Sequence, residues 1–286
     1  MEMVELGPGV IAFVRPDEGA NVGMVHTDDG LIVVDTTWCA AEMQELLDTA
    51  GTSASEVAMV INTHYHGDHT WGNQLFDCPI LAHRLCQERM AANLAGPWSA
   101  EAIEEMIAER GKTDPDWARE AREKLADLHI TVPTEVFDER RELEVGGVRI
   151  EIIHMGAHTP GSAVVWLPEA RVLFVGDLIF EGCYQYIGDA DIQSLVAALK
   201  RLPEFGAQAI VPGHGQLCGE AEIAALVDYL EATWARTADH LAQGHSEDEA
   251  VADPGYPRYA KGWPEMHEQN IRVMVAQLSE SIAHSD

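Results

Sequence analysis

Four side chains of the types that bind metals fall within one run of six residues. They are His64, His66, Asp68 and His69. Their spacing of two, two and one does not follow one face of a helix, but it suits a tight loop whose side chains converge on one point. A polar loop that is only rich in histidine is the alternative. We favour a metal-binding loop that is delivered by the short apolar run at residues 57–61, which is predicted to be a strand.

Three further ligand-type residues follow along the chain, each close to glycine near the end of an apolar run. They are His158, Asp177 and His214. Neutral imidazole and carboxylate suit zinc, iron and manganese. The residues divide into two predicted sites, in which His64, His66 and His158 hold one metal ion and Asp68, His69 and His214 hold the second. Asp177 is predicted to bridge them, and two divalent metal ions are therefore expected, with zinc first and iron or manganese as alternatives.

Such a pair of ions would do hydrolytic chemistry. Two divalent cations that share a water lower the pKa of that water from about 16 toward about 7, which gives a bridging hydroxide at neutral pH. The expected reaction is attack on a carbonyl or phosphoryl centre. Asp68 has a second predicted role, catalytic rather than structural, as an acceptor that orients the nucleophile. Because every ligand must be deprotonated to bind metal, activity should fall in acid.

Composition limits the partners of the chain. Its formal net charge is −30, from 48 acidic and 18 basic residues, so no nucleic-acid partner is predicted. This balance could reflect adaptation to high salt, but we favour an ordinary acidic protein. The five cysteines are scattered without a CxxC pair, which disfavours a disulfide framework and a thiolate zinc site. The expected partner is a small-molecule substrate, and a homodimer remains open.

The beginning of the sequence lacks the features of a signal peptide, and no apolar stretch approaches the length of a membrane span. We therefore expect a cytoplasmic enzyme without a membrane partner. At 286 residues with 47% apolar content, the chain can bury a sizeable core, and residues 1–286 are predicted to form a single domain.

Each half of the chain is predicted to contain strands, then a helix, then a strand, then a ligand loop. The first half has strands at 10–14, 22–25 and 31–34, a helix at 40–50 and a strand at 57–61. The second half has strands near 136 and at 148–153, 163–167 and 172–175, a helix at 191–202 and a strand at 209–211.

Two helical regions accompany these halves. Residues 84–132 are predicted to be a helical insertion, either a lid over the site or a layer that packs on the sheet. The apolar residues that would line such a lid are Met90, Leu94, Trp98, Met106 and Trp117. Residues 220–286 are predicted to be a C-terminal helical extension, with helices at 220–242 and 265–282.

The chain resembles members of the metallo-β-lactamase superfamily between about residues 7 and 220. Four motifs carry the resemblance: His64-Tyr65-His66-Gly67-Asp68-His69, Gly156-Ala157-His158-Thr159-Pro160-Gly161-Ser162, Gly176-Asp177 and Pro212-Gly213-His214-Gly215. The resemblance implies an α/β fold, the four-layer αββα sandwich of two mixed sheets, with metals in a cleft at one edge. It also implies the ligand arrangement used by glyoxalase II and related hydrolases.

Departures from better-known subfamilies narrow the substrate. A lactamase with cysteine in its second metal site is disfavoured by Asp68 and Asp177, whereas a β-lactam hydrolase with an Asp-His-His second site remains an alternative. Quorum-signal lactonases place tyrosine three residues after the bridging aspartate, but this chain has Phe180, with Tyr184 or Tyr186 as replacements.

Two other subfamilies also fit poorly. The basic residues that would bind glutathione in a glyoxalase II are reduced here to an unpatterned set after residue 220: Arg236, Arg258, Lys261 and Arg272. A mononuclear iron redox enzyme such as a persulfide dioxygenase would leave four of the ligand-type residues without a metal. The sequence therefore predicts a dinuclear-metal hydrolase, glyoxalase II-like, that cleaves a small ester, thioester, lactone or amide.

The residues that flank the first motif have less certain roles. Tyr65, Trp71 and Asn73 are candidates to line the substrate pocket, although packing under the loop is favoured for Trp71. A pocket position is also considered for Tyr184 or Tyr186.

Overall fold

A computed structural model gives the structure of the chain, and it describes residues 1–259 and 264–283. Lys261, one of the basic residues considered above for glutathione binding, lies outside the described residues. Within the described ranges, no helix is both long enough and apolar enough to cross a membrane.

Twelve strands occur in the described part of the chain. In order they are β1 (Glu2–Gly7), β2 (Val10–Ala20), β3 (Val22–Thr27), β4 (Gly30–Val34), β5 (Val57–Ile61), β6 (Ile80–His83), β7 (Glu135–Phe137), β8 (Arg140–Val145), β9 (Val148–His154), β10 (Ala163–Leu167), β11 (Val172–Phe180) and β12 (Ala209–Gly215).

The same ranges contain nine α-helices and three short 3₁₀ segments. The α-helices are α1 (Ala40–Ala50), α2 (Gly67–Thr70), α3 (Arg84–Asn93), α4 (Ala100–Arg110), α5 (Pro115–Lys124), α6 (Ile192–Arg201), α7 (Glu220–Ala242), α8 (Glu247–Val251) and α9 (Pro264–Ala283). The 3₁₀ segments are Ala54–Glu56, Trp71–Leu75 and Leu202–Phe205.

The strands form two mixed sheets that meet at one seam. The first sheet runs β7-β6-β5-β4-β3-β2, with β1 on β2, and the second runs β12-β11-β10-β9-β8. Strands β4, β5, β6 and β7 pair in parallel, as do β11 and β12. The seam is a short antiparallel pairing of β12 with the end of β2, where His214 lies opposite Ala20.

Apolar side chains fill three spaces, one between the sheets and one outside each sheet. Val25, Ile32 and Phe174 belong to the cluster between the sheets. Outside the first sheet, Leu46 and Leu47 of α1 are fully buried, and each such burial contributes roughly 1.5–3 kcal/mol. Outside the second sheet lie α6, α7 and α9. The predicted αββα four-layer fold is therefore confirmed.

Local sequence explains the helix on the second sheet. Asp191 caps α6 by accepting a hydrogen bond of 2.7 Å from the Ser194 amide. Leu195 and Leu199, one turn apart, are fully buried against the sheet. The observed bounds, Ile192–Arg201, differ from the predicted helix at 191–202 by one residue at each end.

Several predicted strand boundaries were wrong. Strand β11 continues to Phe180 instead of ending near residue 175, and β12 continues to Gly215, so Asp177 and His214 lie within strands and not after them. The glycines do not end these strands, since Gly176 lies at a register shift of β11 with a φ of 51°. Strands β1, β6 and β8 were not predicted.

The helices of residues 84–132 pack on the first half of the chain. Ile103, Ala121 and Leu125 form one apolar cluster with Cys39 and Trp71. Of the five residues proposed to line a lid, Met90 is fully buried, whereas Leu94 and Met106 are more than two-fifths exposed. The lid remains a prediction.

Candidate metal centre

The structure places all seven predicted ligands at one end of the two sheets. His64 and His66 lie in the loop after β5, and His158 lies in the loop after β9. Asp68 and His69 lie on the single turn of α2, so the first motif is not a loop throughout as predicted. His64, His69, His158, Asp177 and His214 are buried, whereas the side chains of His66 and Asp68 are 16% and 42% exposed.

One carboxylate oxygen of Asp177 faces the first group of histidines. Its Oδ2 lies 3.3 Å from His64 Nε2, 3.8 Å from His66 Nδ1 and 3.5 Å from His158 Nε2. The nitrogens of His158 and His66 are 3.1 Å apart. These four residues are close enough for one ion to contact all of them.

The other oxygen of Asp177 faces the second group. Its Oδ1 lies 3.0 Å from His69 Nε2 and 3.4 Å from His214 Nε2. Asp68 Oδ2 lies 3.3 Å from the same His214 nitrogen and 3.8 Å from that of His69. Asp68, His69 and His214 form a second group of possible ligands. Asp177 thus stands between the two groups with one oxygen toward each.

These distances fit metal ions better than a network of hydrogen bonds. Zinc bonds of about 2.0–2.1 Å in a tetrahedron place the ligating atoms about 3.3 Å apart, which matches both groups. Within the described part of the chain, His64 Nε2 and Asp177 Oδ1 are buried without a hydrogen-bond partner. A buried polar atom left in this state is costly, so the donor set suits a cation at each group.

Asp35, which the sequence analysis missed, fixes the orientation of two ligands. Its carboxylate lies 3.0 Å from His69 Nδ1 and accepts hydrogen bonds of 2.7 Å from the amide and the hydroxyl of Thr63. The Thr63 hydroxyl lies 3.0 Å from His64 Nδ1. Since an imidazole whose Nδ1 is engaged presents Nε2 to a metal, Asp35 and Thr63 aim both rings at the site. Asp35 directly follows β4, and its φ is 59°.

Asp189, which no sequence motif indicates, orients the imidazole of His66 in the same way. Its Oδ2 accepts a hydrogen bond of 3.2 Å from His66 Nε2, and this contact leaves His66 Nδ1 facing Asp177. The His66 contact, together with a hydrogen bond from Tyr65, lowers the pKa of the Asp189 carboxyl to about 2. The only available signal was an acidic residue twelve positions after Asp177 in the loop that follows β11.

Burial and neighbouring charges shift the pKa values of different histidines in opposite directions. Burial depresses the pKa of His158 well below its usual value. Burial also acts against the charged forms of His69 and His214, but the carboxylates of Asp177 and Asp68 outweigh it. The pKa of His69 therefore lies well above its usual value, and that of His214 rises to about 9. Without metal, these two rings hold protons that an ion would have to displace.

Two aromatic residues lie beside the ligands. The Phe180 ring packs on His214 with centroids 4.3 Å apart, and the partly exposed Tyr186 lies 5.6 Å from His66. Tyr184 points away, since it is buried and its hydroxyl accepts a hydrogen bond from the Tyr259 amide. Tyr186 is therefore the better candidate of the two tyrosines for a pocket position.

The other residues that flank the first motif pack against it or form hydrogen bonds beside it. Trp71 packs beneath α2, against the position of Gly67, as favoured above. Asn73 is fully buried and binds Asn62 and the Thr131 carbonyl. Among the described residues, no cysteine joins the metal-binding groups, and Cys218 lies instead against the Ile210 carbonyl.

The four-layer sandwich with these candidate ligands at one end matches a family of known proteins. The family profile described as "Metallo-beta-lactamase superfamily" matches residues 15–214, and the chain belongs to this superfamily.

Curated relatives are distant. The chain is 22% identical over 267 residues to a linear primary-alkylsulfatase of Pseudomonas sp., covering 84% of this chain and 51% of the relative. It is 24% identical over 231 residues to an acyl-coenzyme A thioesterase of Bos taurus, covering 73% and 79%. It is also 24% identical over 216 residues to a type 2 metallo-β-lactamase of Bacillus cereus, covering 73% and 72%. The chain thus spans about half the length of the alkylsulfatase.

Solved structures show the same fold. A sec-alkylsulfatase from Pseudomonas sp. aligns with a TM-score of 0.75 at 17% identity, covering 96% of this chain and 50% of the other. A metallo-β-lactamase family protein from Thermus thermophilus aligns with a TM-score of 0.70 at 20% identity, covering 97% and 95%. The named relatives include hydrolases of three kinds of bond, so the superfamily alone does not select the substrate.

Proposed function

We propose that the chain is a dinuclear-metal hydrolase, with zinc as the first candidate, that cleaves a small ester, thioester, lactone or amide. The observation that carries the proposal is the position of Asp177, whose two oxygens each face histidines of a separate group of candidate ligands at 3.0–3.8 Å. A single-metal site would need only one such group. His64, His66 and His158 would hold the first ion, and Asp68, His69 and His214 would hold the second.

The chain supplies orientation, charge and a hydrogen-bond acceptor. Two bound divalent ions would supply an activated water at neutral pH and polarise the oxygen of the substrate. Asp35, Thr63 and Asp189 hold three of the imidazoles in position. Burial disfavours the charged form of Asp68, but His69 and His214 lower the pKa of its carboxyl below the usual range, so it stays ionised. Its partly exposed carboxylate can therefore accept a hydrogen bond that orients the water.

Esters and thioesters are the first substrate classes to test. The match to the thioesterase relative covers 79% of that relative's length, whereas the match to the alkylsulfatase relative covers only about half of it. A β-lactam hydrolase is the second candidate, because the match to a metallo-β-lactamase relative covers 72% of that relative's length. The absence of cysteine from both groups of ligands distinguishes this site from lactamases with a cysteine in the second site. A mononuclear iron enzyme would leave the second group of ligands without a use.

A substrate panel on zinc-loaded protein tests the proposal. We expect turnover of p-nitrophenyl esters or acyl thioesters, loss of turnover after chelation, and recovery with zinc. His66→Ala should abolish turnover and lower bound metal, whereas His129→Ala, which changes an exposed histidine on no ligand group, should do neither. Equal turnover in His66→Ala and the parent would overturn the proposal. Turnover of nitrocefin but of no ester or thioester would favour the β-lactam alternative.

A further inference from the structure

A cluster of polar side chains lies at the rim of the first metal group, and metal binding does not account for all of it. Asp189 is at its centre, with a side chain that is 25% exposed. Around it lie His66, the hydroxyls of Tyr65 and Tyr186, and the guanidinium of Arg89. Tyr65 belongs to the first motif, Tyr186 and Asp189 to the loop after β11, and Arg89 to α3.

Asp189 already has enough hydrogen-bond donors without Arg89. It accepts a hydrogen bond from His66 Nε2, and the hydroxyls of Tyr65 and Tyr186 lie close enough to interact with its charge. Burial and the neighbouring Asp189 raise the pKa of both tyrosine hydroxyls, which therefore remain protonated donors. The guanidinium of Arg89 forms a loose ion pair with Asp189, with 3.8 Å between the guanidinium nitrogen and Asp189 Oδ1 and no hydrogen bond between them.

Arg89 is nonetheless held in place. Its guanidinium carbon lies 5.5 Å from the centre of the Tyr65 ring, which is within the range of a cation–π contact. Tyr65 is buried and fixes this position. The Arg89 side chain is 55% exposed, so its planar array of donors is oriented and also open to solvent. Such an array matches the two oxygens of a carboxylate or similar oxyanion.

The surroundings make this arginine notable. The chain has only 18 basic residues against 48 acidic ones, so composition alone does not lead one to expect an ordered arginine beside a candidate metal ligand. Asp189 contacts both the guanidinium of Arg89 and the imidazole of His66. Leu85, one turn before Arg89 on α3, is 42% exposed and offers an apolar surface on the same side of the helix.

We infer that Arg89 forms an oxyanion-binding subsite that selects substrates with an anionic group a few bonds from the scissile bond. The inference rests on the proposed hydrolase function and deepens it. The preferred substrate is an ester or thioester whose acyl part ends in an oxyanion, with its carbon chain along Leu85 and its reactive carbonyl at the metal ligands. The helical insertion would then contribute to substrate recognition.

Binding measurements test the subsite without turnover. Glutarate, sulfate and phosphate are each titrated calorimetrically into zinc-loaded protein, which separates a carboxylate preference from general anion binding. We expect glutarate to bind, and Arg89→Gln to weaken this binding by about tenfold or more. Arg89→Lys, which keeps the charge but not the planar donors, should fall between. Arg119→Gln, which removes an exposed arginine of α5 that pairs with Asp116, is the matched control and should bind glutarate like the parent.

Kinetics provide a second arm. The ratio of kcat/KM for mono-p-nitrophenyl glutarate to that for p-nitrophenyl butyrate should fall by about tenfold in Arg89→Gln, mainly through KM. Zinc content and the circular dichroism spectrum check that the variant is folded. If the esters are hydrolysed but Arg89→Gln leaves both the Kd and the ratio within twofold, the subsite is wrong and the hydrolase stands. If glutarate binding depends on Arg89 but no substrate is cleaved, the hydrolase proposal fails and the subsite stands.

Discussion

The side-chain amide of Asn270 donates a hydrogen bond of 2.7 Å to the main-chain oxygen of Gln185, and so ties helix α9 to the loop after β11. The side chain of Gln185 in turn donates to the main-chain oxygen of Asp177. Farther along α9, Gln277 donates to the Ala190 carbonyl and accepts from the Ile192 amide. The C-terminal helix therefore holds the loop that carries Tyr186 and Asp189.

We predict that Asn270→Ala lowers both stability and activity. The change leaves the buried Gln185 carbonyl without its donor, which costs about 1–3 kcal/mol of unfolding free energy. It should also lower kcat several-fold because the rim loop loses an anchor. Urea unfolding and ester hydrolysis measure the two effects. Gln269→Ala, at the exposed neighbouring position of the same helix, is the control. Equal behaviour of the two variants would show that α9 does not support the site.

Asp35 should control metal affinity without touching the metal. Asp35→Asn keeps the shape of the side chain but removes the charge that holds His69 Nδ1 and Thr63. We expect zinc affinity to fall about 10- to 100-fold, as found when the hydrogen-bond partners of metal ligands are removed. Competition with a chelator of known affinity measures this change. Asp77→Asn alters an exposed carboxylate elsewhere and should leave the affinity unchanged; a parent-like affinity in Asp35→Asn would contradict the assignment.

Metal binding should release protons at neutral pH. Near pH 7 the metal-free site holds protons on His69 and on His214, whose pKa is raised to about 9 by Asp177 and Asp68 against the effect of burial. Because the ligands bind as neutral imidazoles, loading the site at pH 7 should release at least two protons per chain, and fewer above pH 9. His66, whose pKa is also raised, and a water bound to the ions would add to this count. Calorimetric titration in buffers of different ionisation enthalpy counts the released protons. Loading at pH 7 with no net proton release would contradict these charge states.

His267 should make stability depend on pH in acid. Burial lowers its pKa to about 4, and its Nδ1 is engaged with the Tyr229 hydroxyl. Since the pKa in the unfolded chain is about 6.5, the unfolded state takes up the proton first as the pH falls. His267 therefore costs no stability above about pH 6.5, and the protein loses roughly 3 kcal/mol of unfolding free energy through this residue as the pH falls toward 4.

The test of this pH dependence uses His267→Gln. Urea unfolding of the metal-free protein at pH 7.5 and pH 4.5 should show a smaller loss of stability in this variant than in the parent. His129→Gln changes an exposed histidine and serves as the control. The same loss in all three proteins would mean that His267 does not titrate as described.

The sequence indicates the candidate ligands more clearly than the residues that support them. Four candidate ligands are recognisable because they lie together in one short run, and the other three because each lies close to a glycine near the end of an apolar run. The physical reason for one of those glycines is visible, since a Cβ on Gly213 would collide with the Asp177 carboxylate. Because glycine usually interrupts a strand, the same residues also predict ends of β11 and β12 that the structure does not have.

The supporting residues could not be found from local patterns. Asp35 meets His69 across 34 positions of the chain, and Asn270 meets Gln185 across 85. Asp189 and His66 are separated by 123 positions. Each is an ordinary polar residue in its own segment, and only the folding of distant segments onto one edge of the sheets gives it a partner.

Metal stoichiometry of Asp177 variants tests the central claim most directly. Elemental analysis of zinc-loaded parent protein should give about two ions per chain, in keeping with the two groups of ligands. Asp177→Ala should give one or none and should abolish ester hydrolysis, because both groups lose their shared carboxylate. Asp191→Ala, a change at the cap of α6, should keep both ions. One ion in the parent, or two ions with full turnover in Asp177→Ala, would contradict the dinuclear account.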